Sequence, residues 1–268
     1  MFDAKSQQFD AGESGPDISP QLEPAPQRSP AGALAGLRSE EILKLPPADR
    51  LAYLRDNLEG PIVFTHGFGI EGQLIFHWIC EHDLAIDVVT LDTGRLFPET
   101  YALWAKTERR YGRRIRAIYP HNVALEKLVA KQGIDGIFDS KEARLACCQV
   151  RKVKPLDRAL AGASAWITGL RADQNSVRRD AGLIGFDATR ELIKFNPLFD
   201  WTREAVLAAA GANKVPINAL HAQGFASIGC APCTRAIQPG EPERNGRWWW
   251  ENEGHKECGL HLPKRRSA

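Results

Sequence analysis

The stretch Pro61-Ile62-Val63-Phe64-Thr65-His66-Gly67-Phe68-Gly69-Ile70-Glu71-Gly72 decides the fold. Its opening is an apolar, β-branched and aromatic run of strand length, which predicts a buried strand. A loop follows over residues 65–72, and an apolar run over 74–80 predicts a helix. Glycines 67, 69 and 72 stand in the strand-to-helix turn. There they let backbone N–H groups approach a phosphate, and the helix N-terminus adds partial positive charge. The spacing is neither a Walker A loop nor the dinucleotide fingerprint. A phosphate cradle and a merely tight turn both stay open on this loop alone.

The alternation continues on both sides. Residues 86–91 read as a second strand ending in Asp92-Thr93-Gly94-Arg95, and Pro98 and Glu99 open the next helix. Residues 114–119 read as a third strand, 123–132 as a helix stopped by Gly133, 153–160 as a helix and 165–169 as a fourth strand. Upstream, Ser39 caps a helical pattern of Ile42, Leu43, Leu51, Leu54 and Leu58 that Pro46-Pro47 interrupts. Downstream, residues 201–207 read as a capped helix closed by Gly211, with a short helix over 217–223. Strands alternating with helices of this length predict an α/β fold with a doubly wound, mostly parallel sheet. Ligands in such sheets bind beyond the carboxyl ends of the strands. The loops at 65–72, 92–95 and 169–173 converge there.

The chain has 268 residues and a formal net charge of +2, which predicts no nucleic-acid partner and no membrane-surface partner. No apolar run approaches the roughly 20 residues that span a bilayer, and the N-terminus has no apolar signal core. Six cysteines in a chain this long are too few for a disulfide scaffold, so the expected address is the cytoplasm. Residues 1–37, rich in Pro, Ser, Gly and Gln, are expected to be a disordered leader. Residues 38–240 are then expected to form the α/β body, and 241–268 a mobile C-terminal tail.

Chemistry concentrates in the cysteines. Cys230-Ala231-Pro232-Cys233 is a pair spaced by two, and Cys147-Cys148 is an adjacent pair far upstream. Four thiolates can hold zinc or an iron–sulfur cluster. Zinc is the commoner occupant of two-plus-two sets. Its pairs are usually spaced by two to four residues, however, and adjacent side chains point apart unless the backbone kinks. A cubane cluster has separated iron corners and takes adjacent ligands more readily, so the residues favour a cluster, with zinc and then a disulfide behind it. Cys258 stands among His255, Lys256 and His261, with Arg244 and Arg247 upstream. Neighbouring positive charge favours the thiolate, which is the nucleophile. Cys80, next to Leu74-Ile75-Phe76-His77-Trp78-Ile79, reads as buried core. His66 reads as a surface loop histidine, and Trp248-Trp249-Trp250 as side chains that seat the tail.

Six stretches together resemble the assimilatory phosphosulfate reductases, and specifically the adenylyl-sulfate (APS) reductases. They are the run Leu91-Asp92-Thr93-Gly94-Arg95-Leu96-Phe97-Pro98-Glu99-Thr100; Cys147-Cys148 with Arg151-Lys152; and Gly169-Leu170-Arg171-Ala172-Asp173-Gln174. The others are Lys194-Phe195-Asn196-Pro197-Leu198; Gly229-Cys230-Ala231-Pro232-Cys233-Thr234-Arg235; and Gly246-Arg247-Trp248-Trp249-Trp250 leading to Lys256-Glu257-Cys258-Gly259-Leu260-His261. The likeness covers about residues 40–262. It implies an adenine-nucleotide alpha-hydrolase-like fold of the ATP pyrophosphatase type. It also implies a [4Fe–4S] cluster on Cys147, Cys148, Cys230 and Cys233, and Cys258 as nucleophile. Lys152, Arg244 and Arg247 would meet the phosphosulfate, while Thr65, Gly67, Gly69, Leu91, Thr93, Gly169 and Arg171 would line the adenosine and phosphate site. The family's first loop usually has a serine near Gly67 and an acidic residue near Gly72, so this loop lacks two polar groups.

The implied reaction is attack of the Cys258 thiolate on the sulfur of APS, expelling AMP and leaving a cysteine S-sulfonate. The cluster is expected to act electrostatically, through Lys152, and not to pass electrons. With four cysteines on the cluster and Cys80 buried, none remains to resolve Cys258. Thioredoxin or glutaredoxin is therefore the implied reductant, acting on a homo-oligomer. Three rivals stand beside this reading: a reductase of the 3′-phosphorylated nucleotide (PAPS), an ATP pyrophosphatase of the same fold class, and a zinc-stabilised module without catalysis.

Overall fold

A computed structural model describes residues 37–174, 176–251 and 260. Residues 1–36 of the expected leader lie outside the described residues, as does Cys258. Leu37, the last residue of the expected leader, is buried against the core.

The strands are β1 (Ile62–Thr65), β2 (Asp87–Leu91), β3 (Arg116–Ile118), β4 (Ala165–Ile167), β5 (Ile184–Asp187) and β6 (Leu192–Phe195). They form one sheet in the order β3-β2-β1-β4-β6-β5. All neighbours run parallel except β5 and β6, an antiparallel pair at one edge. The helices are α1 (Ser39–Leu43), α2 (Pro47–Asn57), α3 (Ile70–Glu81), α4 (Pro98–Tyr111), α5 (Asn122–Gln132), α6 (Lys141–Cys148), α7 (Lys154–Ala159), α8 (Ser176–Arg179) and α9 (Arg203–Ala212).

Successive strand side chains point to opposite faces. Ile62, Phe64, Val88, Ile167, Ile193 and Phe195 enter the larger core, with Leu51 and Leu54 of α2, Leu74 and Ile75 of α3, and Val206 of α9. Val63, Val89, Trp166 and Leu192 enter the smaller one, against Leu156 and Ala159 of α7. Helices on both faces explain why β1 reads as an unbroken apolar run. The doubly wound, mostly parallel sheet is as expected. Among the described residues, no helix is long and apolar enough to cross a membrane.

Several local expectations fail. Helix α3 begins at Ile70, after the extended backbone of Gly69, so Gly72 lies in its first turn and not in the loop. Ser39 is the first residue of α1 and not its cap, which is Arg38. Gly211 does not close α9, which runs on to Ala212, although Thr202 does cap it by accepting from the Ala205 N–H at 3.2 Å. The Cys147-Cys148 pair, for which the sequence offered no element, is helical. It ends α6, and a π turn over Gln149–Val153 carries the chain directly into α7. Cys80 is half-buried against the core, and burial pushes its thiol pKa up.

Arg50 on α2 ties the N-terminal helices to the segment that follows β6. Its buried guanidinium donates to the carbonyls of Leu43, Leu45 and Pro197 and grips both oxygens of Asp200 at 2.5 and 2.9 Å. Burial alone would raise the Asp200 pKa, but Arg50 holds it below its ordinary value. Replacing Arg50 with Met strands four acceptors, so Arg50→Met is expected to cost roughly 3 kcal/mol. A lowered midpoint in urea, with an unchanged slope, checks this; a midpoint equal to the wild type refutes it.

Candidate active site

The chain leaves β1 toward the β3 edge and returns to β4, so the loops after β1 and β4 diverge and leave a crevice between them. A cleft of about 260 Å³ opens there. Thr65, Leu91 and Trp166, at or near the strand ends, line it. The Trp166 Nε1–H donates to the Thr65 hydroxyl at 2.8 Å, holding that side chain in place.

The first loop turns tightly because Phe68 takes a left-handed backbone, φ 58°. Its N–H donates to Nδ1 of His66 at 3.2 Å. His66 is not the expected surface residue. It is 1% exposed, with its ring edge-on to Phe64, Phe68 and Phe76. Burial drives its pKa down to about 3, so the imidazole is neutral. Because Nδ1 accepts, Nε2 carries the proton. A side chain at Gly72 would begin 3.7 Å from the Gly67 nitrogen and 3.9 Å from that Nε2, and one at Gly67 would meet nothing within 4 Å. The loop therefore brings Gly67 and Gly69 to the cleft wall without polar side chains, while the Phe68 N–H is committed to His66.

Cations line the same cleft. Lys152, Arg244 and Arg247 all line the cleft with Gly67, Gly69 and Gly169. Lys152 comes from the π turn, and the two arginines come from the C-terminal arm. Residues 241–251 of that arm are docked on the body, so the expected tail boundary at 241 falls inside the cleft wall. Arg235 N–H donates to Gly246 O at 2.9 Å, and Trp248 N–H to Cys233 O at 3.2 Å. Trp248 is fully buried, with the guanidinium carbons of Arg144 and Arg247 each 4.7 Å from its ring centroid. The Arg144 guanidinium is in turn held by both oxygens of Glu251 at 2.7 and 2.8 Å. Leu260 also lines the cleft.

Beside this cleft is a second cavity, lined by Cys147, Cys148, Cys230 and Cys233 together with Arg95, Arg144, Arg151 and Lys152. Lys152 and Cys230 line both cavities. The Ala231–Cys233 turn is fixed by Ala231 N–H to Arg95 O at 2.8 Å and by the Thr234 hydroxyl to Cys230 O at 2.9 Å. Thr93, expected at the nucleotide, lines the cleft, and its hydroxyl lies 3.2 Å from the Cys230 sulfur. Burial pushes the Cys147 thiol up, and burial with Cys230 beside it pushes Cys233 up to about 11. Such thiols become good donors only when a bound cation takes the proton's place. Among the described residues, no three His, Cys, Asp or Glu side chains converge closely enough to hold one metal ion.

A model of the phosphoadenosine phosphosulfate reductase domain matches residues 61–236, which take in both cavities apart from the arm. The chain belongs to this family. The adenosine 5′-phosphosulfate reductase of Rhizobium meliloti is 50% identical over 230 residues, covering 86% of each chain. That of Agrobacterium fabrum is 52% identical over 215 residues, covering 80% of this chain and 82% of its own. Among solved structures, a phosphoadenylyl-sulfate reductase from Candida auris in a phosphate complex is 27% identical with a TM-score of 0.62. It aligns over 75% of this chain and 98% of its own.

All the expected site residues that are described line one or other cavity except Arg171. Its guanidinium is 0% exposed and is held by Glu71, Asp173 and Glu243. Sequence reasoning missed Glu71, Glu243 and His221, which also line the cleft. Carboxylates are not expected around an anion, and His221 stands in no recognisable motif.

Gly229 is where the site leaves no room. A Cβ there would stand 2.3–2.7 Å from three atoms of the Arg247 guanidinium. Gly229→Ala is expected to displace Arg247 and weaken AMP binding about tenfold, the cost of one charged hydrogen bond. Calorimetric titration with AMP reads this, and an unchanged affinity would show that Arg247 makes no contact with the nucleotide.

Proposed function

We propose that the chain reduces adenylyl sulfate to sulfite and AMP, in sulfate assimilation and cysteine biosynthesis, with an external dithiol such as thioredoxin as reductant. The observation that carries this is the convergence of Lys152, Arg244 and Arg247 on one cleft with Gly67 and Gly69, beside a cavity of four cysteines that shares Lys152 and Cys230 with it. Relatives 50–52% identical over most of their length are named adenosine 5′-phosphosulfate reductases, which supports the unphosphorylated nucleotide over PAPS.

Cys258 is the proposed nucleophile. Leu260, two residues further on, lines the cleft, and covalent geometry keeps the two Cα atoms within about 7 Å. The thiolate attacks the sulfate sulfur, the bond from sulfur to the bridging oxygen breaks, and its electron pair leaves with AMP. Lys152, Arg244 and Arg247 would stabilise the charge growing on the leaving phosphate. A thiolate of the external dithiol then attacks the Cys258 sulfur, releasing sulfite, and the second thiol of that dithiol restores Cys258 by closing its own disulfide. Four thiols around one cavity walled by four cations suit a sulfur-ligated anionic centre. Cys147, Cys148, Cys230 and Cys233 would hold a [4Fe–4S] cluster, whose contribution would be an electrostatic field acting on Lys152.

Cys258→Ser is expected to abolish sulfite release while AMP affinity and iron content stay at wild-type values. Mass spectrometry of the wild type after adenylyl sulfate, before any dithiol, should find SO₃ on the peptide bearing Cys258; turnover surviving in Cys258→Ser would remove the nucleophile from the scheme. Assayed side by side, adenylyl sulfate should outpace PAPS.

For the second cavity, protein purified without air should carry about four irons and four sulfides. Cys230→Ala should lose most of both. A colourless preparation containing zinc would replace the cluster with a single-ion site.

A further inference from the structure

The cleft proposed to take an anion has two carboxylates in its wall. Glu71 lies in the first turn of α3, beside the glycine loop, and Glu243 immediately precedes Arg244. Unscreened, both would oppose binding of a negatively charged ligand. Each is held by the same buried group: Arg171 Nε lies 2.8 Å from Glu71 Oε1, and Nη2 lies 2.8 Å from Glu243 Oε2. Its remaining nitrogen, Nη1, pairs with Asp173. Arg203 adds a 3.3 Å contact to Glu243, and the Gln174 amide donates to Glu71 at 3.1 Å. The guanidinium does not line the cleft, and its three nitrogens are committed.

We propose that Arg171 is a positioning residue for anion binding. It ties the first turn of α3 to the arm that carries Arg244 and Arg247, and it masks the two carboxylates that face the ligand without touching the ligand itself. The fork geometry of arginine is what allows one side chain to hold two carboxylates from separate elements at fixed distance. This inference rests on the reading of the cleft as the adenylyl-sulfate site. It differs from the direct nucleotide contact that the family resemblance implies for Arg171.

A double-mutant cycle separates the two roles. Arg171→Gln exposes Glu71 and Glu243 and should raise KM for adenylyl sulfate by about a hundredfold, with kcat changed far less. Glu243→Gln alone should change KM by no more than about threefold. In the double variant, neutralising Glu243 removes much of the repulsion that loss of Arg171 creates, so KM should recover by about tenfold relative to Arg171→Gln. Effects that multiply to within about twofold would overturn the inference, because unmasked charge on Glu243 would then have no part in the loss. If Arg171→Gln does not fold, Arg171→Lys takes its place in the same cycle. Lysine keeps the charge but cannot hold both carboxylates, and the same coupling is required. Wild-type sulfite formation is measured first in the same assay. Its absence would end the functional reading, whereas its presence with multiplicative effects ends only this inference.

Discussion

Lys152 stands in the walls of two cavities at once, and this double exposure organises the site. The cysteine cavity requires positive charge if Cys147 and Cys233 are to be ionised, because burial pushes both thiols up. The cleft requires positive charge for a ligand that carries a phosphate and a sulfate. Placing one ammonium in the shared wall serves both, so a change of charge on one side acts on a group that also faces the other. Arg247 extends the arrangement. Its Nε donates to Cys233 O at 3.3 Å while its guanidinium faces the cleft.

Such an arrangement works only if its parts are held rigidly. The sheet supplies one frame, through strand ends whose residues are fixed by burial on both faces. Trp248 supplies the other: buried beneath Arg144 and Arg247, it anchors the arm from below, while Glu251 fixes Arg144 from the side. The site is thus assembled from segments far apart in sequence, each tied to the next by a buried cation.

Much of this was legible beforehand. The apolar run at 61–64 and its successors mark parallel strands, because a strand covered on both faces has no polar alternation to obscure it. The cysteine pairs and the cations around them stand in motifs, so their convergence was expected. What escaped was whatever depends on partners remote in the chain. His66 looks like a surface loop residue until three phenylalanines close on it. Arg171 sits in a nucleotide motif, yet is turned away from the cleft by acidic residues about 70 and 100 positions distant. The β5–β6 pair is short and partly exposed, with a glycine in β5, and so has little pattern to betray it.

The π turn between α6 and α7 has one further meaning. Each residue in a regular α-helix advances the side-chain direction by about 100°, and a π turn takes up one residue more than the regular winding. Helix α7 is keyed to the sheet by Leu156 and Ala159, so its rotation about its axis is not free. The extra residue therefore sets the angular phase of everything upstream. Cys148 faces the sulfur cavity, and Lys152, four positions later, lines that cavity and the cleft as well. The rod behaves as a key cut with one offset tooth, and its two ends address different locks.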